Sequence, residues 1–246
     1  MTKHTVFIVL VAAFALAGSA SGSPRAATAC PRLAKAAHLP LRPGGSPLRT
    51  DVDGDGRRDA VSIHYSLQAP VNCGFVLVVK TASRVVAVRV PEPYTMPVNR
   101  WPYPEPFLAA AVRLDPRRSQ LVVALWHGAS IANVGLYGLA GGKLVRLRFH
   151  PRNSGDQLPL FGSVGTGQTY ARCVRGGPLI VTSIWPSGRR WSARRTLYRL
   201  RGGVLWRTRT RTVTGSERKI DAQARRWKTD AAPFTGCVVA RGRRLL

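Results

Sequence analysis

The chain has 246 residues and carries 38 Lys and Arg against 11 Asp and Glu, which gives a formal charge of +27 at pH 7. Hydrophobic residues make up 45% of the sequence, enough to bury a core, and this excludes a disordered chain. The 24 Gly and 18 Pro, together with the scarcity of long helix-favouring runs, exclude a helical bundle or a coiled coil. The length allows one large domain or two small ones.

The N-terminus has the three-part pattern of a secretory signal peptide. A short basic start (Lys3 and His4) precedes an unbroken apolar run at 6–17, and small residues follow at 18–23. The apolar run is too short to span a bilayer comfortably, although an uncleaved membrane anchor is the alternative interpretation. We expect residues 1–20 to be a signal peptide cleaved after Ala20. The mature chain is then a secreted, extracellular bacterial protein without a transmembrane segment.

All four cysteines lie beyond the expected cleavage point. An even number of cysteines in an exported chain favours two disulfides. Three pairings are possible, and order along the chain favours Cys30 with Cys73 and Cys173 with Cys237. No Cys or His spacing is typical of a zinc site.

The remaining elements follow in chain order. Residues 21–50 are rich in small residues and Pro, and we interpret them as an N-terminal leader segment with one short helix near 32–37. From Asp51 onward, short β-type runs alternate with turns. They predict strands at 60–65, 74–79, 84–90, 121–126, 133–139, 143–149, 179–185, 195–200 and 204–213. Residues 91–106 contain six Pro and predict an extended loop, whose aromatic rings either bind a ligand or pin the loop to the body.

Two alignments of the chain with itself indicate an internal repeat. A shift of 60 residues places 53–65 over 113–125, and a shift of 61 places 134–146 over 195–207. The second alignment matches the Gly-Gly pairs at 141–142 and 202–203, which predict tight hairpin turns with positive φ angles. Chance similarity among hairpins is the alternative. We expect a single β-repeat domain over 51–246, with units near 51–110, 111–170 and 171–229 and a C-terminal closing segment.

Four of the 11 acidic residues fall within the nine residues of 51–59. Calcium binds six to eight oxygen ligands, and a tight loop lets alternate side chains point inward. Gly56 permits the sharp turn at the sixth position. The sequence therefore predicts a Ca²⁺ site, with a metal-free Asp-Gly turn as the alternative. The predicted ligands are the side chains of Asp51, Asp53, Asp55 and Asp59 and the backbone carbonyl of Arg57.

The loop is not an EF-hand, because position 12 is Ser62 rather than Glu and a β-type run follows. The pattern DxDxDGxxD leading into a strand, at 51–63, instead resembles the calcium loop of FG-GAP and VCBS repeats. The resemblance is close at these residues and weaker elsewhere. It implies calcium binding by the four aspartates in an exported, β-propeller-like protein.

The second unit departs from this pattern, since only Asp115 is kept there, and the third unit has no carboxylate at the corresponding place. A closed propeller needs at least four blades. The expected fold is therefore all-β, with β-propeller-like units in an incomplete or atypical propeller.

Positive charge is densest at 189–228, where 14 Lys and Arg face only Glu217 and Asp221. Within it, Arg207, Arg209 and Arg211 alternate with threonines, which on a strand predicts guanidinium groups along one face. Such a face suits a polyanion: an anionic cell-wall polymer, an acidic polysaccharide or nucleic acid. A merely solvated face is the alternative, and no nucleic-acid-binding motif accompanies the charge.

Motifs of common catalytic sites are missing from the sequence, which contains no GxSxG, HExxH, P-loop or GxGxxG pattern in the required context. His127 and Ser130 are near each other, but two residues do not make a mechanism. We therefore assign no catalytic residue. The first hypothesis is a monomeric, non-enzymatic binding or structural module at the cell surface, with a cell-envelope glycan or polyanion as partner. The alternatives are a polyanion-binding protein and a secreted hydrolase with a loop-built site.

Overall fold

The computed structural model describes residues 30, 32–41, 47–66, 73–91, 106–127, 131–151, 158–161, 167–174, 177–229 and 232–243. The expected signal peptide at 1–20 and most of the Pro-rich loop lie outside the described residues. In the described part, fifteen strands accompany one 3₁₀ helix and one α-helix, so the all-β class is confirmed.

The first sheet is an antiparallel meander of four strands. They are β1 (Leu48–Thr50), β2 (Asp59–Tyr65), β3 (Phe75–Lys80) and β4 (Val85–Val90). β1 belongs to the segment interpreted as a leader, yet it pairs with β2. The 3₁₀ helix, Leu33–His38, lies where a short helix is expected, and its Ala36 packs against Val76 and Val78 of β3.

The second sheet contains the other eleven strands. Its first part is again an antiparallel meander: β5 (Phe107–Val112), β6 (Gln120–His127), β7 (Ile131–Ala140) and β8 (Lys143–Arg146). β9 (Arg148–His150) and β10 (Leu158–Phe161) follow. A third meander comprises β11 (Gln168–Cys173), β12 (Leu179–Ser187), β13 (Arg190–Arg201) and β14 (Val204–Gly215). Helix α1 (Glu217–Arg226) and β15 (Val238–Arg241) complete the described chain.

The second sheet curls into a half-barrel. β7 pairs with β6 along one side, and with β10 and then β8 along the other. β8 continues through Leu147 into β9, which pairs in parallel with β14. The strand pairings therefore lead from β7 through β10 to β14 and β9, and the chain itself connects β9 back to β7 through Leu147 and β8.

Two hydrophobic cores lie on opposite faces of the second meander. On one face, Leu121, Val123 and Leu125 of β6 pack with Val61 and Leu77 of the first sheet. On the other face, residues of β5 to β7 pack with those of β10 to β12 and β14 inside the curled sheet. All six residues of β5 are buried, because both of its faces are covered.

The two Gly-Gly pairs form the predicted hairpin turns. Gly141 and Gly142, between β7 and β8, have φ of 55° and 75°, and Gly202 and Gly203, between β13 and β14, have φ of 55° and 81°. The nine predicted strands are present within a few residues of their expected bounds. The run at 143–149 is divided at Leu147 into β8 and β9.

A propeller of separate blades is not shown. The first meander is a sheet of its own, but the second and third belong to one continuous sheet joined through β10. Helix α1 is a further difference from the sequence prediction. Ser216 caps it by accepting a hydrogen bond from the Lys219 amide (3.4 Å), and Ile220 and Ala224 bury its inner face.

Both disulfides join the cysteines that chain order favours. Cys30 is bonded to Cys73 and Cys173 to Cys237, with Cα–Cα distances of 5.6 and 5.4 Å. The second bond attaches β11 to the segment that leads into β15. None of the helices in the described part of the chain has the length and apolarity needed to cross a membrane.

Candidate metal site and arginine cluster

Residues 51–59, which we call the acidic loop, connect β1 to β2, and the cross-strand pair Thr50 and Asp59 closes the base of the loop. Val52 is fully buried in the core between the two sheets, and its burial anchors the loop. Gly54 and Gly56 have φ of 87° and 83°, a region that L side chains rarely adopt. The sequence thus folds into a tight loop whose backbone turns around its own carboxylates.

Backbone amides donate hydrogen bonds to all four of these carboxylates. The two carboxylate oxygens of Asp51 accept hydrogen bonds from the amides of Gly54 (2.6 Å) and Gly56 (3.0 Å). Asp59 Oδ2 accepts one from the Val52 amide at 2.8 Å, and Asp53 Oδ1 accepts one from the Asp55 amide at 3.2 Å. Each ionised carboxylate retains further lone pairs for a ligand.

Three of the predicted ligand side chains are brought together. One carboxylate oxygen from each of Asp51, Asp53 and Asp59 lies within 4.8 Å of the other two. Asp55 is exposed and outside this group, and its Oδ1 accepts a hydrogen bond from the Arg57 amide at 2.7 Å. Hard oxygen donors at this separation fit a calcium ion and provide part of the coordination shell that it requires.

Asp59 is the carboxylate most affected by its surroundings. Its side chain is only 3% exposed. Burial raises the pKa of Asp59, and the negative charges of Asp53 and Asp55 raise it further, against the opposing effect of hydrogen bonds from the Val52 and Asp53 amides. A bound cation would counteract both the burial and the repulsion.

The corresponding loop of the second meander, residues 113–119, lies against the acidic loop. The Ser119 amide donates to the Asp51 carbonyl at 2.7 Å, and the Thr50 hydroxyl donates to Ser119 Oγ at 2.8 Å. Asp115 Oδ1 accepts a hydrogen bond from the Arg117 amide (2.8 Å), the same contact that Asp55 makes with Arg57. This Asp-to-amide contact therefore recurs 60 residues later in the chain. The carboxylates of Asp51, Asp53 and Asp59 have no counterpart in the second loop.

A second group of charged side chains lies on the arginine-rich strands. Across β13 and β14, Arg195 pairs with Arg211 and Leu197 with Arg209. Across β11 and β12, Arg172 pairs with Ile180, which in turn pairs with Leu197. Directly opposed residues share a face of a sheet. Arg172, Arg195, Arg209 and Arg211 therefore lie on one face, and we call them the arginine cluster.

Arg207 does not belong to the arginine cluster. A β-bulge at Thr208 shifts the register, so that Arg207 pairs with Tyr198 while Arg209 pairs with Leu197. Since Leu197 and Tyr198 point to opposite faces, Arg207 and Arg209 do so too. The alternation at 207–211 predicts three guanidinium groups on one face. The sequence does not predict the bulge. Because of it, only Arg209 and Arg211 of the three lie on the same face, and Arg172 and Arg195 of neighbouring strands lie on that face too.

Burial and like charge both act on the arginine cluster. Burial lowers the pKa of Arg195, and the positive charges of Arg172, Arg209 and Arg211 lower it further. The Nε atoms of Arg172 and Arg195 are buried, and neither has a hydrogen-bond partner among the described residues.

Among the described residues, few other groups suggest catalytic chemistry. The His127 side chain and Ser130 lie outside what the structure describes. His64 is 7% exposed, and its two ring nitrogens contact the Leu39 carbonyl (2.7 Å) and Ser62 Oγ (2.8 Å). It therefore has the contacts of a structural histidine.

No protein-family model, curated protein or solved structure matches the chain.

Proposed function

We propose that the protein is an exported β-repeat protein that binds one calcium ion in the acidic loop and acts as a non-enzymatic binding or structural module at the cell surface. The convergence of the Asp51, Asp53 and Asp59 oxygens within 4.8 Å carries the proposal. Two disulfides support export, because such bonds persist in oxidising compartments.

The position of the loop supports a structural task for the ion. Asp51 offers its carboxylate to the site and its backbone carbonyl to Ser119 of the neighbouring loop. An ion held by Asp51 would fix the contact between the first sheet and the second. The three meanders, spaced by about 60 residues, are on this proposal degenerate repeats of a propeller-like unit.

Calcium is expected to raise the thermal stability of the purified protein. Extracellular calcium modules bind at about 10⁻⁴ to 10⁻³ M. Mass action at about 10 mM calcium then adds about 1.4 to 2.7 kcal/mol to the free energy of unfolding. The measurement is a pair of thermal melts in calcium and in chelator, with magnesium at the same ionic strength as reference.

Matched variants identify the loop as the site of the effect. Asp53→Asn and Asp59→Asn should abolish the calcium-dependent shift, since each removes a charged oxygen ligand. Asp115→Asn makes the same change in the neighbouring loop and should keep the full shift. Identical melts of the wild-type protein in calcium and chelator would refute the calcium site.

A further inference from the structure

The arginine cluster has the geometry of an anion site. It gathers four guanidinium groups from β11, β13 and β14 on one sheet face. The intervening strand β12 contributes only Ile180 and Thr182 at the facing positions, and both are buried. Strand β12 therefore places no side chain longer than that of Ile180 between Arg172 and Arg195.

The cluster also has unused hydrogen-bonding capacity. None of its four guanidinium groups forms an ion pair with a carboxylate of the described residues. The buried Nε atoms of Arg172 and Arg195 have no acceptor there. A buried donor without an acceptor is costly, and gathering four like charges adds to the cost. An anion with several oxygens would remove both costs at once.

We infer that the arginine cluster binds a phosphate group, as the free ion or as a phosphoester. A phosphate provides more than one negative charge and three or four acceptor oxygens, so it can receive donors from several arginines together. A carboxylate has one charge and two oxygens, which leaves most of the cluster unmatched. Arg209 and Arg211 are exposed, so a ligand can reach the half-buried Arg172 and Arg195 from solvent.

Asp221 of α1 is the acidic group to consider as a competitor. Burial raises the pKa of Tyr170, and the negative charge of Asp221 raises it further. Tyr170 lies on the same face as the cluster and is separated from Arg195 by Thr182. The charges that act on Arg195 are those of the other three arginines. Asp221 is therefore not among the charges that shift the pKa of Arg195.

The test is calorimetric titration of the full chain with inorganic phosphate and with glycerol 3-phosphate, with sodium chloride at equal ionic strength as reference. Arg209→Gln and Arg211→Gln should each weaken phosphate binding about tenfold, as expected for loss of a charge-assisted hydrogen bond. Arg195→Gln should abolish it. The preferred form of phosphate then indicates a free ion or an ester as the ligand.

Arg207→Gln is the matched control, because it removes the same charge from the same strand but from the opposite face. It should bind phosphate as the wild-type protein does. Equal weakening in Arg207→Gln and Arg209→Gln, or a wild-type response no larger than that to chloride, would overturn the inference. Circular dichroism establishes that each variant is folded. Asp53→Asn should retain phosphate binding, so the outcome is separable from that of the calcium site.

Discussion

At the scale of single residues, Tyr137 shows how tightly the interface between the sheets is filled. Its side chain is fully buried, and its ring lies over Gly135, where an added Cβ would come within 2.8 Å of the ring. Its hydroxyl has no hydrogen-bond partner among the described residues, and Arg146 is the residue opposite it on β8. Burial raises the pKa of Tyr137 to about 12, against a smaller opposing effect of Arg146.

Replacing Tyr137 with Phe should stabilise the protein at neutral pH. The change removes a buried, unpaired hydroxyl and keeps the ring that covers Gly135. We expect the free energy of unfolding to rise by about 1 kcal/mol. Chemical denaturation at pH 7 measures this, with Tyr65→Phe on β2 as the control that should change little. A loss of stability in Tyr137→Phe would show that the hydroxyl has a favourable contact.

The same variant should alter the response to alkali. From pH 10 to about 12, the unfolded phenol releases its proton while the folded Tyr137 keeps it, so stability falls as pH rises through this window. Below pH 10 both states are protonated and the contribution is constant. Tyr137→Phe should therefore lose less stability between pH 10 and 12. Some dependence should remain, because burial also raises the pKa of Tyr198.

At the scale of elements, the hairpin of β13 and β14 illustrates what the sequence can and cannot predict. The Gly-Gly turn and the approximate strand bounds follow from local chemistry and are found. The bulge at Thr208 and the strand β5 do not follow, because a register shift has no local signature and Phe107–Val112 is rich in Ala rather than in β-branched residues. Helix α1 has a signal that the strand pattern obscures: a Ser cap followed by Ile220, Ala224 and Trp227 at helical spacing.

The candidate sites divide in the same way. The acidic loop is contiguous in sequence, so the spacing of its residues is enough to identify Asp51, Asp53 and Asp59. The arginine cluster unites residues from three strands, and only the pairing of those strands reveals Arg172 and Arg195 as members.

The two glycines of the β13–β14 turn should differ in their tolerance of alanine. Both have positive φ, which costs a non-glycine residue about 1–2 kcal/mol. A Cβ at Gly202 meets no atom within 4 Å, whereas a Cβ at Gly203 would lie 2.9 Å from the Cβ of Ala140. Gly203→Ala should therefore cost at least about 1 kcal/mol more than Gly202→Ala. Urea denaturation of the two variants side by side tests this, and equal losses would contradict it.

At the scale of the whole molecule, the two disulfides secure different parts of the fold. Cys173 and Cys237 are both 4% exposed and belong to the core inside the curled sheet. Near them, the Cys173 amide bonds to the Thr235 carbonyl (2.9 Å) and the Arg113 amide to the Cys237 carbonyl (2.8 Å). The C-terminal segment thereby connects β11 to the loop after β5. Cys30 and Cys73 instead fasten the 3₁₀-helical segment beside the first sheet.

Loss of either disulfide should destabilise the protein, but with different consequences. The sequence separations of 43 and 64 residues correspond to about 4 kcal/mol each in the chain-entropy account. Replacing Cys173 and Cys237 by Ser should lower the midpoint of global unfolding. Replacing Cys30 and Cys73 should mainly release the N-terminal segment.

Amide hydrogen exchange distinguishes these outcomes. Protection should fall throughout the second sheet in the first variant, and chiefly near residues 32–41 in the other. Uniform loss of protection in both variants would contradict this division.

The parallel pairing of β9 with β14 has a consequence for how the chain reaches its structure. Arg148 pairs with Val204, so this contact of the curled sheet joins residues far apart in sequence. Sheets that depend on such distant contacts fold slowly. Until β14 has formed, β9 presents an unpaired edge, the kind of surface on which chains aggregate. The period between emergence of β9 and arrival of β14 is thus a time at which a newly made chain needs protection from its neighbours.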